Sequence, residues 1–267
     1  MTPAARGFGS RGPTVGARRG GRVDGLTDGG PERVAGVEDW AGDLDALRDE
    51  IVACRACPRL VAWREAVGQR PPARFHGEVY WARPVPGFGD PAARILLVGL
   101  APAAHGGNRT GRVFTGDASG DFLWAALHAV GLANQPTGRR ADDGLSLRGV
   151  YVAAAVRCAP PANRPTPAER ARCLPFLVRE MALLGELRVV VPLGAIAWAA
   201  ALAALERLGE WVPRPRPAFG HGREVAVGRY VVLGSYHVSQ QNTFTGRLTA
   251  PMFRAILARA KAMADLR

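Results

Sequence analysis

The chain has 267 residues, 48% of them hydrophobic, so it is long enough to bury a sizeable core without disulfide staples. No run approaches the roughly 18 apolar residues of a membrane span, which argues against a membrane protein and predicts a soluble, cytoplasmic one. The formal net charge of +12 favours a polyanionic partner, but Lys261 is the only lysine, and such arginine-rich composition is also typical of GC-rich genomes.

The N-terminal part of the chain differs in composition from the rest. Residues 1–37 are rich in Gly and Arg and have hardly any large apolar residue, so we expect a disordered tail. Residues 38–267 are predicted to form a single domain. Leu44, Leu47 and Ile51 give a helical stripe, and the Pro- and Gly-rich stretch 69–91 predicts a long irregular segment.

The remaining sequence alternates between strand and helix patterns. Apolar runs without polar alternation predict four buried parallel strands at 94–100, 150–156, 188–193 and 230–235. Helical stretches follow them at 119–130, 167–184, 195–208 and 248–264. This order predicts an α/β fold of three layers, α/β/α, with a central four-stranded parallel sheet.

Three polar loops follow predicted strands, at 99–117, 157–165 and 237–248. In open α/β sheets, ligands bind beyond the carboxyl ends of the strands. The first loop is rich in glycine and arginine, yet it contains neither a P-loop motif nor a dinucleotide-binding fingerprint. The sequence therefore predicts one convergent site made by these three loops.

The only cysteines of the chain are Cys54, Cys57, Cys158 and Cys173. Four thiolates saturate a [4Fe–4S] cluster, one to each iron, and the first pair forms a CxxC turn. A structural zinc site is the alternative, although zinc knuckles usually supply both halves as short CxxC turns, whereas Cys158 and Cys173 are far apart in sequence. The spacing favours the cluster, and a disulfide is the weakest alternative.

The loop 99–117, the segment Arg157-Cys158-Ala159-Pro160-Pro161-Ala162-Asn163, the His237-Val238-Ser239 segment and the cysteine spacing together resemble the uracil-DNA glycosylase superfamily, specifically its family 5 of bacterial and archaeal iron–sulfur enzymes. The resemblance runs from about residue 43 to residue 264. It implies a [4Fe–4S] cofactor held by the four cysteines. It also implies hydrolysis of the N-glycosidic bond of uracil in double-stranded DNA, with the target base flipped out of the stack.

The same resemblance implies roles for three polar side chains. Asp117 matches the carboxylate that positions water and steadies the sugar cation, whereas the residues alone favour an N-cap role for it. Asn163 matches a residue that assists the reaction, and by itself it reads as a turn residue. His237 matches the histidine that stabilises the departing base anion.

Further residues are implied to bind the base or the DNA. Gly99, Ala101 and Phe114 belong to the predicted base pocket together with His237, and Phe114 is expected to stack on the flipped base. The segment 239–244 is expected to enter the groove. The predicted DNA contacts are Arg109, Arg112, Arg164, Ser239, Gln240, Gln241, Asn242 and Arg247.

The second strand departs from the uracil-specific relatives, because Ala153, Ala154 and Ala155 stand where those relatives carry an asparagine that reads the uracil edge. A pocket without this reader discriminates less sharply, so we expect hypoxanthine to be accepted too. Lys261, the only lysine, is predicted to lie in the terminal helix, away from the three motif loops, which predicts a monofunctional glycosylase. We further expect a monomer associated with the nucleoid. A non-catalytic nucleic-acid-binding module and an electron-transfer protein are the rival hypotheses.

Overall fold

The computed structural model describes residues 40–265, and the predicted disordered tail, residues 1–37, lies outside them. The α-helices are α1 (Trp40–Ala53), α2 (Pro58–Gln69), α3 (Gly107–Thr110), α4 (Ala118–Ala129), α5 (Pro167–Leu183), α6 (Ala195–Arg207), α7 (Gln240–Phe244) and α8 (Ala250–Met263). The strands are β1 (Phe88–Gly89), β2 (Ile95–Gly99), β3 (Val150–Ala154), β4 (Val189–Pro192), β5 (Glu224–Val227) and β6 (Tyr230–Leu233). Two single 3-10 turns cover Ala73–Phe75 and Pro161–Asn163.

The strands form one six-stranded sheet in the order β1-β3-β2-β4-β6-β5. The four predicted strands are its parallel centre, and the expected number of four is wrong because β1 and β5 add antiparallel edges. Neither edge strand has the pattern of a buried run. β1 has only 2 residues, and Glu224, Val225 and Ala226 of β5 are exposed or half-buried, so a search for continuous apolar runs misses both.

Helices cover both faces of the sheet, as the three-layer prediction requires. Along β2, Ile95 and Leu97 pack into the core shared with α4 and α8, whereas Leu96 and Val98 pack into the core shared with α5 and α6. This alternation follows from the two-residue period of a strand, and both sets are apolar because both faces are covered. None of the helices within residues 40–265 combines the length and the apolar character needed to span a bilayer.

The parallel strands all end at the same edge of the sheet, and the three motif loops leave from this edge. The loop after β2 leads into α4, the loop after β3 leads into α5, and the segment after β6 leads into α7. A capping box between Thr166 and Glu169 fixes the start of α5. Side chains that are far apart in sequence are thereby brought to one edge.

Candidate active site

One cavity of about 610 Å³ lies where the three loops meet. Each loop contributes polar side chains to it: Asp117 from the first, Asn163 from the second, and Ser239, Gln240 and Gln241 from the third. Three further lining residues were not marked as ligand-binding by the sequence patterns: Arg74 and Phe75 from the stretch 69–91, and His105 from the first loop. The predicted convergence of the loops is therefore a feature of the fold.

Asp117 is both the N-cap of α4 and a wall residue of the cavity. Its Oδ1 accepts a hydrogen bond of 2.9 Å from the backbone N–H of Gly120, so the capping role inferred from the residues is present. Burial raises the pKa of Asp117, and backbone N–H groups of Gly120 and Ser119 oppose that shift. Its other oxygen lies against Gly106, where a Cβ atom would come within 1.9 Å of Oδ2.

Asn163 ends the 3-10 turn after β3. Its φ is +55°, a left-handed conformation that asparagine tolerates better than most residues, and its backbone N–H donates to the carbonyl of Pro160 at 3.2 Å. The residue is exposed and its side chain lines the same cavity as Asp117. The turn thus presents an amide group to anything bound there.

Phe114 and His237 lie next to each other, with ring centroids 6.4 Å apart. The Phe114 ring covers Gly99 at the end of β2 so closely that a Cβ at Gly99 would lie 2.6 Å from the ring. Phe114 itself has a φ of +48°, and its carbonyl accepts a hydrogen bond of 2.6 Å from the Trp124 indole. These contacts fix the Phe114 ring at the carboxyl edge of the sheet. Gly99, Phe114 and His237 are not among the described residues that line the 610 Å³ cavity.

His237 is held as a neutral imidazole. Burial lowers its pKa to about 4, because the charged form loses solvation and no carboxylate compensates for it. The side-chain amide of Asn242 donates to the His237 carbonyl at 2.8 Å and fixes the loop. A neutral imidazole has one N–H group, so it can donate one hydrogen bond to a developing anion while remaining uncharged.

The predicted DNA-binding side chains divide into two groups. Arg112 is buried, and its guanidinium makes two bonds of 2.8 and 2.9 Å to the Asp143 carboxylate. The Arg109 guanidinium donates to Glu78 at 2.6 Å and to backbone carbonyls. The Asn242 amide is also engaged within the protein, because it donates to the His237 carbonyl. Arg164 and Arg247 are exposed, as are Gln240 and Gln241.

The four cysteines come together although they lie on different elements. Cys54 and Cys57 lie between α1 and α2, Cys158 follows β3, and Cys173 is in α5. All four line one small, mainly apolar cavity and are unpaired as thiols. Ala101, which we expected in the base pocket, packs against this cysteine region instead.

The surroundings of the thiols test whether a metal cluster fits. Burial raises the pKa of Cys173 to about 12 and also raises that of Cys158, so both free thiols would stay protonated at neutral pH. Arg64 is a fully buried cation whose guanidinium donates to the Cys158 Sγ at 2.9 Å and to the Cys54 carbonyl. The backbone N–H of Arg157 donates to the Cys173 Sγ at 3.3 Å.

A buried cation facing a neutral thiol is unfavourable, whereas metal-bound thiolates would supply the missing negative charge. The donor set therefore fits a metal-thiolate centre. Within the described residues, no group of three or more His, Cys, Asp or Glu side chains stands ready as a site for a metal ion.

Sequence reasoning missed three residues that line this cavity, His105, Arg74 and Phe75. His105 was known only as part of the first loop, and its Nδ1 lies 3.0 Å from the Tyr80 hydroxyl. Arg74 and Phe75 lie in the stretch 69–91, which has no periodic pattern to mark them. An arginine next to an aromatic residue was the only available signal, and it is too common to be specific.

Comparisons with known proteins agree with this geometry. The family model described as "Uracil DNA glycosylase superfamily" matches residues 86–261. A type-5 uracil-DNA glycosylase of Thermus thermophilus is 55% identical over 226 residues, covering 84% of this chain and 100% of the relative. The type-5 enzyme of Mycobacterium tuberculosis is 51% identical over 85% of this chain and 84% of its own length.

A more distant type-5 uracil-DNA glycosylase, from the archaeon Pyrobaculum aerophilum, is 45% identical over 86% of this chain and 97% of the relative. The family match, residues 86–261, includes all six strands and the three motif loops. The resemblance seen in the motifs is confirmed by these matches. The chain belongs to the uracil-DNA glycosylase superfamily.

Proposed function

We propose that this protein is a uracil-DNA glycosylase of type 5, which hydrolyses the N-glycosidic bond of uracil in DNA and leaves an abasic site. The observation that carries the proposal is the cavity at the carboxyl edge of the sheet, lined by Asp117, Asn163 and the Ser239–Gln241 segment. The names of relatives that are 45 to 55% identical over most of the chain support the same activity.

The chemistry follows from the charges that develop as the bond breaks. The sugar becomes positive and the departing base becomes negative, so the site needs a carboxylate near the sugar and a donor near the base. Asp117 supplies the carboxylate, with one oxygen held by the start of α4. In our proposal it also orients the attacking water, which Asn163 helps to position.

His237 stabilises the departing base as a neutral donor. Its pKa of about 4 means that the imidazole keeps one N–H throughout the physiological pH range without titrating. Phe114 stacks on the flipped base, a contact worth about 1–3 kcal/mol for base–aromatic stacking. Gly99 is required beneath the ring because a side chain there would displace Phe114.

The substrate range is broader than uracil in our proposal. At the end of β3, Ala153, Ala154 and Ala155 are buried and offer no side-chain amide to read a base edge. A site that hydrogen-bonds an edge rejects analogues strongly, whereas an apolar wall does not. Hypoxanthine in DNA is therefore expected to be released as well.

The DNA is double-stranded in our proposal, and the target nucleotide leaves the stack to enter the cavity. Unstacking requires a few kcal/mol, which contacts with the remaining duplex must offset. Ser239, Gln240 and Gln241 occupy the space vacated by the base. Arg164 and Arg247 contact phosphates; the Arg247 guanidinium carbon lies 4.7 Å from the centroid of the Tyr236 ring. We expect a monomer that associates with the nucleoid.

A [4Fe–4S] cluster is proposed at Cys54, Cys57, Cys158 and Cys173. When bound, it supplies no step of base release; it joins α1 and α2 to the loop after β3 and to α5. Arg64 would balance part of the negative charge of the thiolates. Iron and sulfide analysis of anaerobically purified protein tests this assignment, and stoichiometric zinc without iron or sulfide would overturn it.

The glycosylase is monofunctional in our proposal. Lys261, the only lysine of the chain, donates to the Val130 carbonyl at 3.1 Å and lines a cavity beside Arg94, next to the start of β2. This is the edge of the sheet opposite Asp117 and Asn163. An intact abasic strand is expected as product, and trapping of the protein on DNA by borohydride would contradict the proposal.

The central test is release of the base from duplex oligonucleotides that carry uracil opposite guanine, or hypoxanthine. Wild-type protein should release both bases. Asp117→Ala should lower the single-turnover rate at least 100-fold while binding persists, since a contact made only in the transition state affects rate rather than affinity. Binding without any base release by the wild type would favour a non-catalytic nucleic-acid-binding module.

A further inference from the structure

The short turn Ala73–Phe75 lies outside the three motif loops, and its residues Arg74 and Phe75 line the cavity that holds Asp117. This turn is well defined, because Phe75 N–H donates to the Pro72 carbonyl at 2.8 Å and His76 N–H donates to the Ala73 carbonyl at 3.1 Å. Phe75 packs beside His105, with ring centroids 6.0 Å apart. A rigid turn thus brings Arg74 to the rim of the cavity that holds Asp117.

Two guanidinium groups lie over the ring of Phe75, and they differ in how they are neutralised. The Arg109 guanidinium lies 4.2 Å from the ring centroid, is 12% exposed and pairs with Glu78 at 2.6 Å. The Arg74 guanidinium lies 4.9 Å from the same centroid and is exposed. Among residues 44–265, no carboxylate pairs with Arg74.

Arg74 is also the only arginine among the described residues that line this cavity. Stacking on an aromatic face restricts the rotamers of the side chain while the N–H edges of the guanidinium stay available. The arrangement therefore presents a pre-oriented, uncompensated cation beside Asn163 and Gln240. An anion with several acceptor oxygens, such as a phosphodiester, matches this group.

We propose that Arg74 binds a phosphate of the lesion-containing strand next to the flipped nucleotide, and that the Ala73–Phe75 turn forms the DNA-facing wall opposite α7. This inference rests on the proposed glycosylase function and adds a contact that the three motif loops do not contain. A phosphate contact exists both before and during the reaction. It should therefore contribute to affinity rather than to the rate at saturation.

The matched control is Arg207, an exposed arginine at the end of α6. Because α6 follows β4 and runs back along the sheet, its last residue lies toward the amino edge, away from the cavity. Arg74→Ala and Arg207→Ala each remove one positive charge. A general effect of charge would weaken DNA binding equally in both variants, whereas a specific phosphate contact would appear only in the first.

The experiment measures binding to a duplex that contains an abasic-site analogue, by fluorescence anisotropy over a series of salt concentrations. For Arg74→Ala we expect several-fold weaker binding and a plot of log affinity against log salt whose slope is shallower by about 0.9, as for one lost phosphate contact. Arg207→Ala should keep the wild-type slope, and Arg74→Lys should retain most of it. The single-turnover rate at saturating protein should be unchanged in all variants.

If the plot of log affinity against log salt has the same slope for Arg74→Ala as for wild type, the inference is overturned. A single-turnover rate at saturating protein that is clearly lower than that of wild type would overturn it too. Arg74→Gln, which keeps a polar side chain on the turn, gives the same readout should the alanine variant unfold. If wild-type protein binds the duplex but releases no base, the proposed function fails while the slope comparison still decides the role of Arg74. The two failures are therefore distinguishable.

Discussion

The contact between Gly106 and Asp117 gives a sharp prediction about catalysis. A methyl group built at Gly106 would lie 1.9 Å from Asp117 Oδ2 and 2.8 Å from its Cγ, distances that no real contact of this kind allows. The backbone of Gly106, at φ −103° and ψ −106°, also lies outside the regions that alanine favours, so the variant carries backbone strain in addition to the clash. The carboxylate is the movable partner because it is the end of a side chain.

In Gly106→Ala the carboxylate must therefore turn away from the cavity. Its hydrogen bond of 2.9 Å from Gly120 would be lost or lengthened, at a cost of about 1 kcal/mol for a helix cap. For a domain of this size such a loss lowers Tm by roughly 2–4 °C. A misplacement of about 1 Å in a catalytic group lowers the rate by about 100-fold. Backbone strain at Gly106 adds a further cost of about 1–3 kcal/mol. We therefore expect a moderate loss of stability and a much larger loss of turnover.

The assay is single-turnover release of uracil, with Tm measured in parallel. Gly220→Ala is the control, since a Cβ there would meet only Arg223, at an ordinary 3.4 Å. The double variant Gly106→Ala/Asp117→Ala should be no slower than Asp117→Ala alone, because both changes act on one carboxylate. A Gly106→Ala enzyme within about twofold of the wild-type rate, or additive losses in the double variant, would refute the reasoning.

The remaining predictions concern protonation and the metal centre. Burial raises the pKa of Asp117 in the folded protein above its value in the unfolded chain. The folded protein therefore holds the carboxyl proton more tightly, and it loses stability as pH rises from the unfolded-state pKa through the folded-state pKa. Asp117→Asn should therefore be more stable than wild type at neutral pH in guanidinium unfolding, and equal stabilities there would contradict this. Because burial lowers the pKa of His237 to about 4, its contribution to stability is lost as pH falls from about 6.5 to 4. The single-turnover rate should show no titration of His237 between roughly pH 6 and 9, and a kinetic pKa near 6.5 that disappears in His237→Asn would count against a neutral imidazole. Protein that carries the proposed [4Fe–4S] cluster should be brown, and Cys158→Ala should abolish this colour and most of the bound iron. Arg64→Met should lower metal content as well, whereas full iron occupancy in Arg64→Met would show that the buried guanidinium is not needed to balance the thiolates.

Local sequence patterns were sufficient to predict the four parallel strands at the centre of the sheet. β2, β3 and β4 are buried at every position, because both faces of the central strands are covered by helices. The positions of Asp117, Asn163 and His237 after strand ends could be predicted for the same reason. Once strands are parallel and connected by helices, their carboxyl ends must share an edge.

The direction in which each side chain points was decided only by the tertiary structure. Arg112 and Arg164 look alike in the sequence, yet Arg112 is buried against Asp143 and Arg164 is exposed. The edge strand β5 was missed because its alternating burial is set by the neighbouring β6 rather than by its own composition.

The contact of Gly106 with Asp117 brings together residues whose spacing in the chain carries no signal. The same is true of Arg74 and Asn163, which line one cavity. Periodicity reports which face of an element is apolar. Contacts between distant loops depend on how the layers pack. This packing decides which of many similar arginines and glycines lie near Asp117.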